Sequence, residues 1–556
     1  MSPGHPPRGG AIRIGLVWGA VTVFVALAGM VEAFAHLRIV AGALSLGPAL
    51  PLLAALGAGY QAGRRARRAV VAVLLRGTLA GVVVGTVVGV LVVLGNVQNL
   101  RVVLVNASPI LFLLLSFGQG VAGAYLPVVA GAAAGIVGAA GSLLGRMLRP
   151  VVAGLVPIVI LGLFQEIFQL MLFEGAVRTA VREFFFSGDA LSAPGAVVAF
   201  LVAGGLSMGW VYRGDLVRQR ILRLPPAQRR GLRLLALGLG AAAILVVPQV
   251  AGVFLSHVLV LVGLYVLMGL GLNLEVGYAG LLDLGFVAFF AIGAYTVGLL
   301  TSTSAQAIAT FPFWAAVPIA VIVSLIAGVI LGLPVLRIRG DYLAIATLGF
   351  GEITRLLVLS DFLRPWLGGS QGILAIPKPM IGGFELRGPE QLFYLTLAAS
   401  ALVAFVAARL RDSRLGRAWM ALREDEDVAE AMGINLVNVK LLAYGLGAAF
   451  AGVSGAIFAV MVGSLFPHSV QLLISINVLA LIIIGGMGSM PGVVVGSLFL
   501  VGLPELLREF SDFRFLVYGA ALVIMMQLRP EGLWPAAAIR RELHAGDKPG
   551  APPQTV

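Results

Sequence analysis

The chain has 556 residues, is 60% hydrophobic and only 11% charged, and carries a formal net charge of +13 with no cysteine. Without cysteine there is no disulfide, no thiolate metal site and no cysteine nucleophile; the five histidines (His5, His36, His257, His468, His544) are scattered, so no metal site is expected. The positive charge does not point to nucleic acid, because the arginines cluster between apolar runs, where loops at the cytoplasmic face of a membrane carry them.

Apolar runs of 18 or more residues recur along the length, each enough to cross ~30 Å of hydrocarbon. Alternating β-barrel segments are absent. The expected fold is all-α, a polytopic membrane protein of about 16 spans, six in a first half and ten in a second. The first half gives candidate spans at 14–34, 43–62, 69–95, 121–145, 151–173 and 194–212. Arg8 and Arg13 precede the first run and Ala33-Phe34-Ala35 follows it, which imitates a signal peptide, but its length favours a retained helix. The stretch 101–120 reads as interfacial or re-entrant. Gly81, Gly85 and Gly89, like Gly131 and Gly135, repeat every four residues; this spacing serves close helix packing within one chain or, as the second reading, a dimer face. Glu166, beside Gln165 and Gln169, lies inside a span and marks either a polar pathway or a hydrogen-bonded packing site.

Residues 1–230 therefore read as an additional N-terminal membrane region of unassigned role, ending in the basic, proline-broken linker "RLPPAQRRGLR" (Arg223–Arg233). A second region, 231–540, gives spans at 235–254, 257–274, 276–300, 313–336, 340–359, 392–409, 440–462, 471–487, 492–508 and 513–528, and a polar tail covers 541–556. Counted from a cytoplasmic Arg233, the crossings place Arg337, Arg339, Arg411, Arg414, Arg417, Arg423, Lys440 and Arg529 on the cytoplasmic side, with both termini, and the Pro- and Gly-rich 360–391 outside.

One cytoplasmic loop is dense in charge: "RLGRAWMALREDEDVAEAMGIN", Arg414–Asn435. Its core, about 418–432, is expected to form one amphipathic helix. Ala421, Leu422, Val428, Ala429 and Met432 share a face at helical spacing, Glu424, Asp427 and Glu430 lie off it, Arg417 precedes it and Gly433 stops it. The acidic face argues against a membrane-surface helix and for docking into a groove on a partner. Glycine-broken stretches mark a second set of candidates. Gly277, Gly280 and Gly285 flank Asp283 within an apolar run, and Gly349 stands beside Glu352. Irregular backbone at membrane depth is tolerated where it lines a cavity or is buried in protein, and helix ends there carry partial charges. Asp283 either attracts an ammonium group or, the favoured reading, braces a broken helix; Glu352 with Arg355 at i, i+3 reads equally as an ion pair. "GGMGSMPG" (Gly485, Gly486, Gly488, Pro491, Gly492) reads as a tight turn, with a gate or hinge as the second reading.

"ALREDEDVAEAMGIN" resembles the coupling-helix loop of ATP-binding-cassette importer permeases, specifically the LivM-type branched-chain amino-acid permease family. Three further stretches agree in order and spacing, Gly271–Tyr295, Arg339–Leu357 and Asn477–Ser497, and "GGSQGI" (Gly368–Ile373) resembles the family's outer loop with Ser370 and Gln371 in place of its usual Pro or Asn. The resemblance covers about 235–535, and a usual family member is about as long as that half alone. It implies a permease that is not an enzyme, in a cell inner membrane, importing branched-chain amino acids, with urea, amides or other amino acids as the family's other cargoes. The implied partners are cytoplasmic ATPase subunits that use the ATP and Mg, a second permease subunit, alike or different, and an extracytoplasmic substrate-binding protein. No GxxxxGK[ST] occurs, so no cofactor is expected on this chain. The competing reading is an ion-coupled secondary transporter with Glu166, Asp283 and Glu352 as its proton or sodium sites.

Overall fold

A computed structural model describes residues 9–40, 44–65, 69–171, 176–188, 190–223, 225–335, 338, 340–508, 513–529 and 531–536. Arg337, Arg339 and the tail 541–556 lie outside them. The chain is a polytopic all-α membrane protein. Ten helices are long and apolar enough to cross a membrane, and six shorter apolar helices accompany them among the described residues. In lipid a backbone has only itself to bond to, so the apolar runs close into helices. Two compact units result, Met1–Leu239 and Gly240–Val556.

In the first unit the helices Val70–Val97 and Leu126–Leu143 pack through their glycines. A Cβ on Gly81 would strike the carbonyl oxygen of Gly131, one on Gly135 that of Gly77, and one on Gly85 that of Pro127. The four-residue glycine spacing is thus used within one chain. The 101–120 stretch forms no span. Its helix Pro109–Leu115 has seven residues, is capped by Ser108 Oγ accepting from Leu111 N at 3.0 Å, and ends in left-handed backbone at Phe117 and Gly118 (φ 54° and 85°). Ser108 in turn donates to Glu32. The expected span 151–173 is two helices, Leu148–Leu163 and Gln165–Met171. Glu166 lies exposed in the first turn of the second, rather than facing a packed interior, and Gln169 donates to the Gly188 carbonyl at 3.1 Å.

The expected spans 235–254 and 257–274 fall on two helices within Pro226–Leu272 that meet at a kink at Gly252 (φ 75°), four residues after Pro248. The centre of the second unit is Leu436–Val462, 72% of whose apolar window is buried. Small residues let its neighbours reach its backbone. Gly455 abuts the Phe290 carbonyl of Val287–Thr301, Gly328 of Phe313–Val335 abuts the Tyr444 carbonyl, and Gly271 abuts that of Gly447. Buried hydroxyls add directional ties: Ser454 donates to Leu264 O at 2.9 Å, and Ser475 accepts from Val287 N at 2.9 Å.

Away from these helices, the family-like loop closes on the end of the central helix. Gly368 and Gly372 take φ of 78° and 67° around the turn Gly369–Gln371, and Ile373 pairs with Leu465. Lys378 Nζ donates to the carbonyls of Val460 and Met461 at 2.6 and 2.8 Å, capping the last turn of Leu436–Val462.

Candidate functional site: the charged segment and the broken helix beneath it

The charged segment is two helices, Arg414–Glu424 and Glu426–Ala431, where the sequence predicts one over 418–432. Asp425 makes the break. It adopts extended backbone (φ −159°, ψ 117°), and its Oδ1 accepts from Asp427 N and Val428 N at 2.9 and 3.0 Å, an N-cap for the second helix. Ser413 caps the first helix in the same way, accepting from Leu415 N and Gly416 N. Gly433 (φ 85°) ends the second, as its sequence position predicts.

The break changes which residues share a face. Trp419, Leu422 and Ala429 turn inward and are 0%, 2% and 3% exposed, and Trp419 Nε1 donates to Val439 O at 2.8 Å. Val428 and Met432 point away, at 58% and 78% exposure, with Met420 at 41%. The single stripe of Ala421, Leu422, Val428, Ala429 and Met432 therefore does not exist: Ala421 is half-buried, two members anchor the segment and two are left outside. Arg417 and Glu424 are exposed as well. A buried ion pair, Lys440 Nζ to Glu426 Oε1 at 2.8 Å, ties the second helix to the base of Leu436–Val462.

Arg423 connects this segment to the broken helix. Its Nη1 donates to the Gly277 carbonyl at 2.7 Å. Its stem lies 3.0–3.3 Å from where a Cβ would stand on Gly280, whose φ is 73°. Gly277 belongs to a π-turn, Asn273–Tyr278, after which the chain leaves helical geometry until Val287. A wide π-turn, bonded i to i+5, takes backbone carbonyls out of the α-helical ladder, and Arg423 satisfies one of them. The Gly485–Gly488 turn sits against the same place. Gly488 N donates to Asn273 Oδ1 at 2.9 Å, Gly486 and Gly488 take φ of 115° and 75°, and Pro491 stands in the first turn of Met490–Ser497. Trp534 N and Leu533 N donate to Gly485 O and Ile484 O at 2.9 and 2.8 Å, lacing the chain end onto the turn. The candidates Gly277, Gly280, Gly485, Gly486 and Gly488 thus converge beneath the charged segment.

Asp283 is fully buried, and its Oδ1 accepts from Gly285 N at 2.7 Å. Gly285 packs against the Thr347 carbonyl and Gly351 of Asp341–Leu359. Gly349 and Glu352 are on that helix but not at this site: nothing abuts Gly349, and Glu352 is half-exposed and paired with Arg355 at 2.5 Å. The residue missed from the sequence is Glu275. It is fully buried in the π-turn beside Asp283, in space left by the absent side chain of Gly447. Neither oxygen of Glu275, nor Asp283 Oδ2, nor the Tyr444 hydroxyl has a hydrogen-bond partner among the described residues. A carboxylate beside a glycine-broken end was the available signal, but only the fold brings Gly447 opposite it.

A bundle of apolar helices with a broken helix at its centre and a charged segment clamped beneath it defines a multi-pass membrane permease. Residues 254–526 match the family described as the permease component of branched-chain amino acid transport systems. The high-affinity branched-chain amino acid permease protein LivM of Escherichia coli K12 is 36% identical over 412 residues, spanning 66% of this chain and 94% of that protein. LivM of Salmonella typhimurium is 41% identical over 310 residues, 52% of this chain and 71% of its own length. LivH of the same organism is 24% identical over 287 residues, 48% and 90%. The chain belongs to the branched-chain amino acid permease family and is of the LivM type. The Escherichia coli match takes in more of the chain than residues 235–535 supply, so likeness to the family is not confined to that stretch. No solved structure matches.

Proposed function

We propose that this inner-membrane permease carries branched-chain amino acids inward as the membrane subunit of an ATP-driven importer, with the charged segment facing the cytoplasm. The carrying observation is the division of that segment: Trp419, Leu422 and Ala429 hold it to the permease, while Met420, Val428 and Met432 stay uncovered. An exposed apolar patch on short capped helices is what a partner groove takes up. Cytoplasmic ATPase subunits are the proposed occupants, using ATP and Mg themselves. A second permease subunit completes the pore, and an extracytoplasmic binding protein delivers the substrate.

Force then has a short route. A shift of the docked segment displaces Arg423, and Arg423 draws on the Gly277 carbonyl of the π-turn. The Gly485–Gly488 turn, bonded to Asn273 of that π-turn, moves with it. The chain itself performs no bond chemistry. Helix-end carbonyls freed at 277–286 offer partial negative charge to an ammonium, and helix N-termini offer the converse to a carboxylate.

The test is co-purification of the chain with its candidate ATPase and binding protein, then uptake in liposomes. Val428→Asp with Met432→Asp is expected to release the ATPase and leave the fold intact. If the ATPase stays bound to that variant, or the chain alone accumulates substrate on an ion gradient, the proposal fails.

A further inference from the structure

We propose that Glu275 and Asp283, with the Tyr444 hydroxyl, form a proton-binding site inside the second unit, in which the two carboxyl groups share one proton. Both residues are 0% exposed, and they lie side by side. An isolated ionised carboxylate in an apolar interior is so costly that the group neutralises instead, and two adjacent like charges raise that cost.

No cation relieves it. Among the described residues, no ion pair includes either carboxylate. Arg423, which reaches the same turn, donates to the Gly277 carbonyl, Lys440 is paired with Glu426, and Arg411 is paired with Asp412. The other polar groups facing the pair are Thr347 on Asp341–Leu359 and Tyr444 on the central helix, while Asn273 and Tyr278 share its turn. Asn273 Oδ1 is held by Gly488 N, and Thr347 Oγ1 accepts from Leu284 N at 3.0 Å and donates to Ala344 O at 3.1 Å.

The hydrogen-bond arithmetic closes with one proton. Of the four carboxyl oxygens, Asp283 Oδ1 already accepts from Gly285 N, and the other three have no partner. One added proton, taken from water, forms an O–H on one carboxyl group that donates to the other. The Tyr444 O–H, itself unpartnered, supplies a second donor. The pair then titrates as a unit rather than as two separate residues. Gly447 is part of the site, since a side chain there would occupy the place of Glu275 Oε1.

Position gives the site a role. Glu275 lies two residues before the carbonyl that Arg423 grips. A pull on the π-turn parts Glu275 from Asp283 and admits water, and the proton leaves to that water. This second step rests on the importer reading; the proton site does not.

Infrared spectroscopy of the purified full chain in lipid nanodiscs tests the site directly. At neutral pH the wild type is expected to show a protonated-carboxyl C=O band, shifted in Glu275→Gln and in Asp283→Asn because the remaining buried acid loses the carboxylate it shares its proton with, and absent from the double variant. Tyr444→Phe should keep the band and shift it by removing its donor, a readout that stands even if a carboxyl variant fails to fold. A wild-type spectrum without such a band, or one unchanged by all three substitutions, overturns the site. In the assembled transporter, trapping with a non-hydrolysable ATP analogue should weaken the band. A band that persists at full strength there overturns the release step and leaves the resting site standing.

Discussion

Two basic side chains in the second unit do nearly the same chemistry with different consequences. Lys378 donates to two carbonyls at the end of the central helix, and Arg423 donates to one carbonyl of the π-turn. Each supplies a charged donor to backbone oxygens that lack a helical partner. Lys378 sits in a loop pinned by the Ile373–Leu465 pairing, so its bond closes a static corner. Arg423 ends a helix whose neighbour is exposed at Val428 and Met432, so its bond joins a surface open to other molecules to the unit's interior. A capping bond becomes a transmission element when the donor's own support is free to be moved.

The sharpest test of that contrast removes the exposed support. Val428→Asp with Met432→Asp should lower ATPase capture more than tenfold, the effect of placing unpaired charges in a buried patch (about 1.4 kcal/mol per tenfold). Pull-down at matched expression measures it. By contrast Leu422→Asp buries a charge inside the unit and should reduce folded protein rather than docking selectively. Second in size is Arg423→Ala. It should keep ATPase capture while uptake per ATP hydrolysed falls about tenfold, the loss of one charge-assisted hydrogen bond of ~1.5–3 kcal/mol. Arg423→Lys, which keeps the charge without the fork, should recover part of the ratio. Equal losses of capture and uptake would make Arg423 a structural residue only.

Lys378→Met should cost about 1–2 kcal/mol through uncapped carbonyls, read as a lower unfolding midpoint with the uptake-to-ATP ratio unchanged. A changed ratio would erase the contrast with Arg423. The smallest effect belongs to the exposed Arg411–Asp412 pair, 2.8 Å apart, at the start of the charged segment. The Arg411 hydrogen bond holds the Asp412 carboxyl below its ordinary range. A lowered carboxyl contributes stability above its unfolded value and loses it as pH falls through the folded one. Asp412→Asn should therefore lower the unfolding midpoint slightly at neutral pH and leave it unchanged at strongly acid pH, flattening the profile between the two.

Much of this was legible in the residues. Apolar length located most spans, because hydrocarbon thickness sets helix length whatever the packing. The stop at Gly433 was legible because a residue after a last helical turn takes left-handed backbone, which glycine does without strain. The break at Asp425 was not. In "REDED" each of the four acidic residues fits inside a helix, and only the bonds from Asp427 N and Val428 N single out the capping one. A single helical period carried across that break put Val428 and Met432 with Leu422. Glu275 escaped for a different reason. Its significance depends on Asp283, Tyr444 and Gly447, which are distant in sequence or, for Asp283, separated from it by irregular backbone. The glycine-rich candidates at 277–280 and 485–488 were visible as breaks, but their convergence on Arg423 required the fold.

The Asp425 joint has a consequence for engineering. The exposed Val428 and Met432 lie beyond it and the grip of Arg423 lies before it, so in the importer we propose docking and transmission fall to separate short helices. On that reading residues 426–432 are an exchangeable adapter: transplanting that heptapeptide from a relative, with Glu426 and Ala429 kept to seat it, should redirect the permease to the relative's motor while the Arg423 linkage stays as it is.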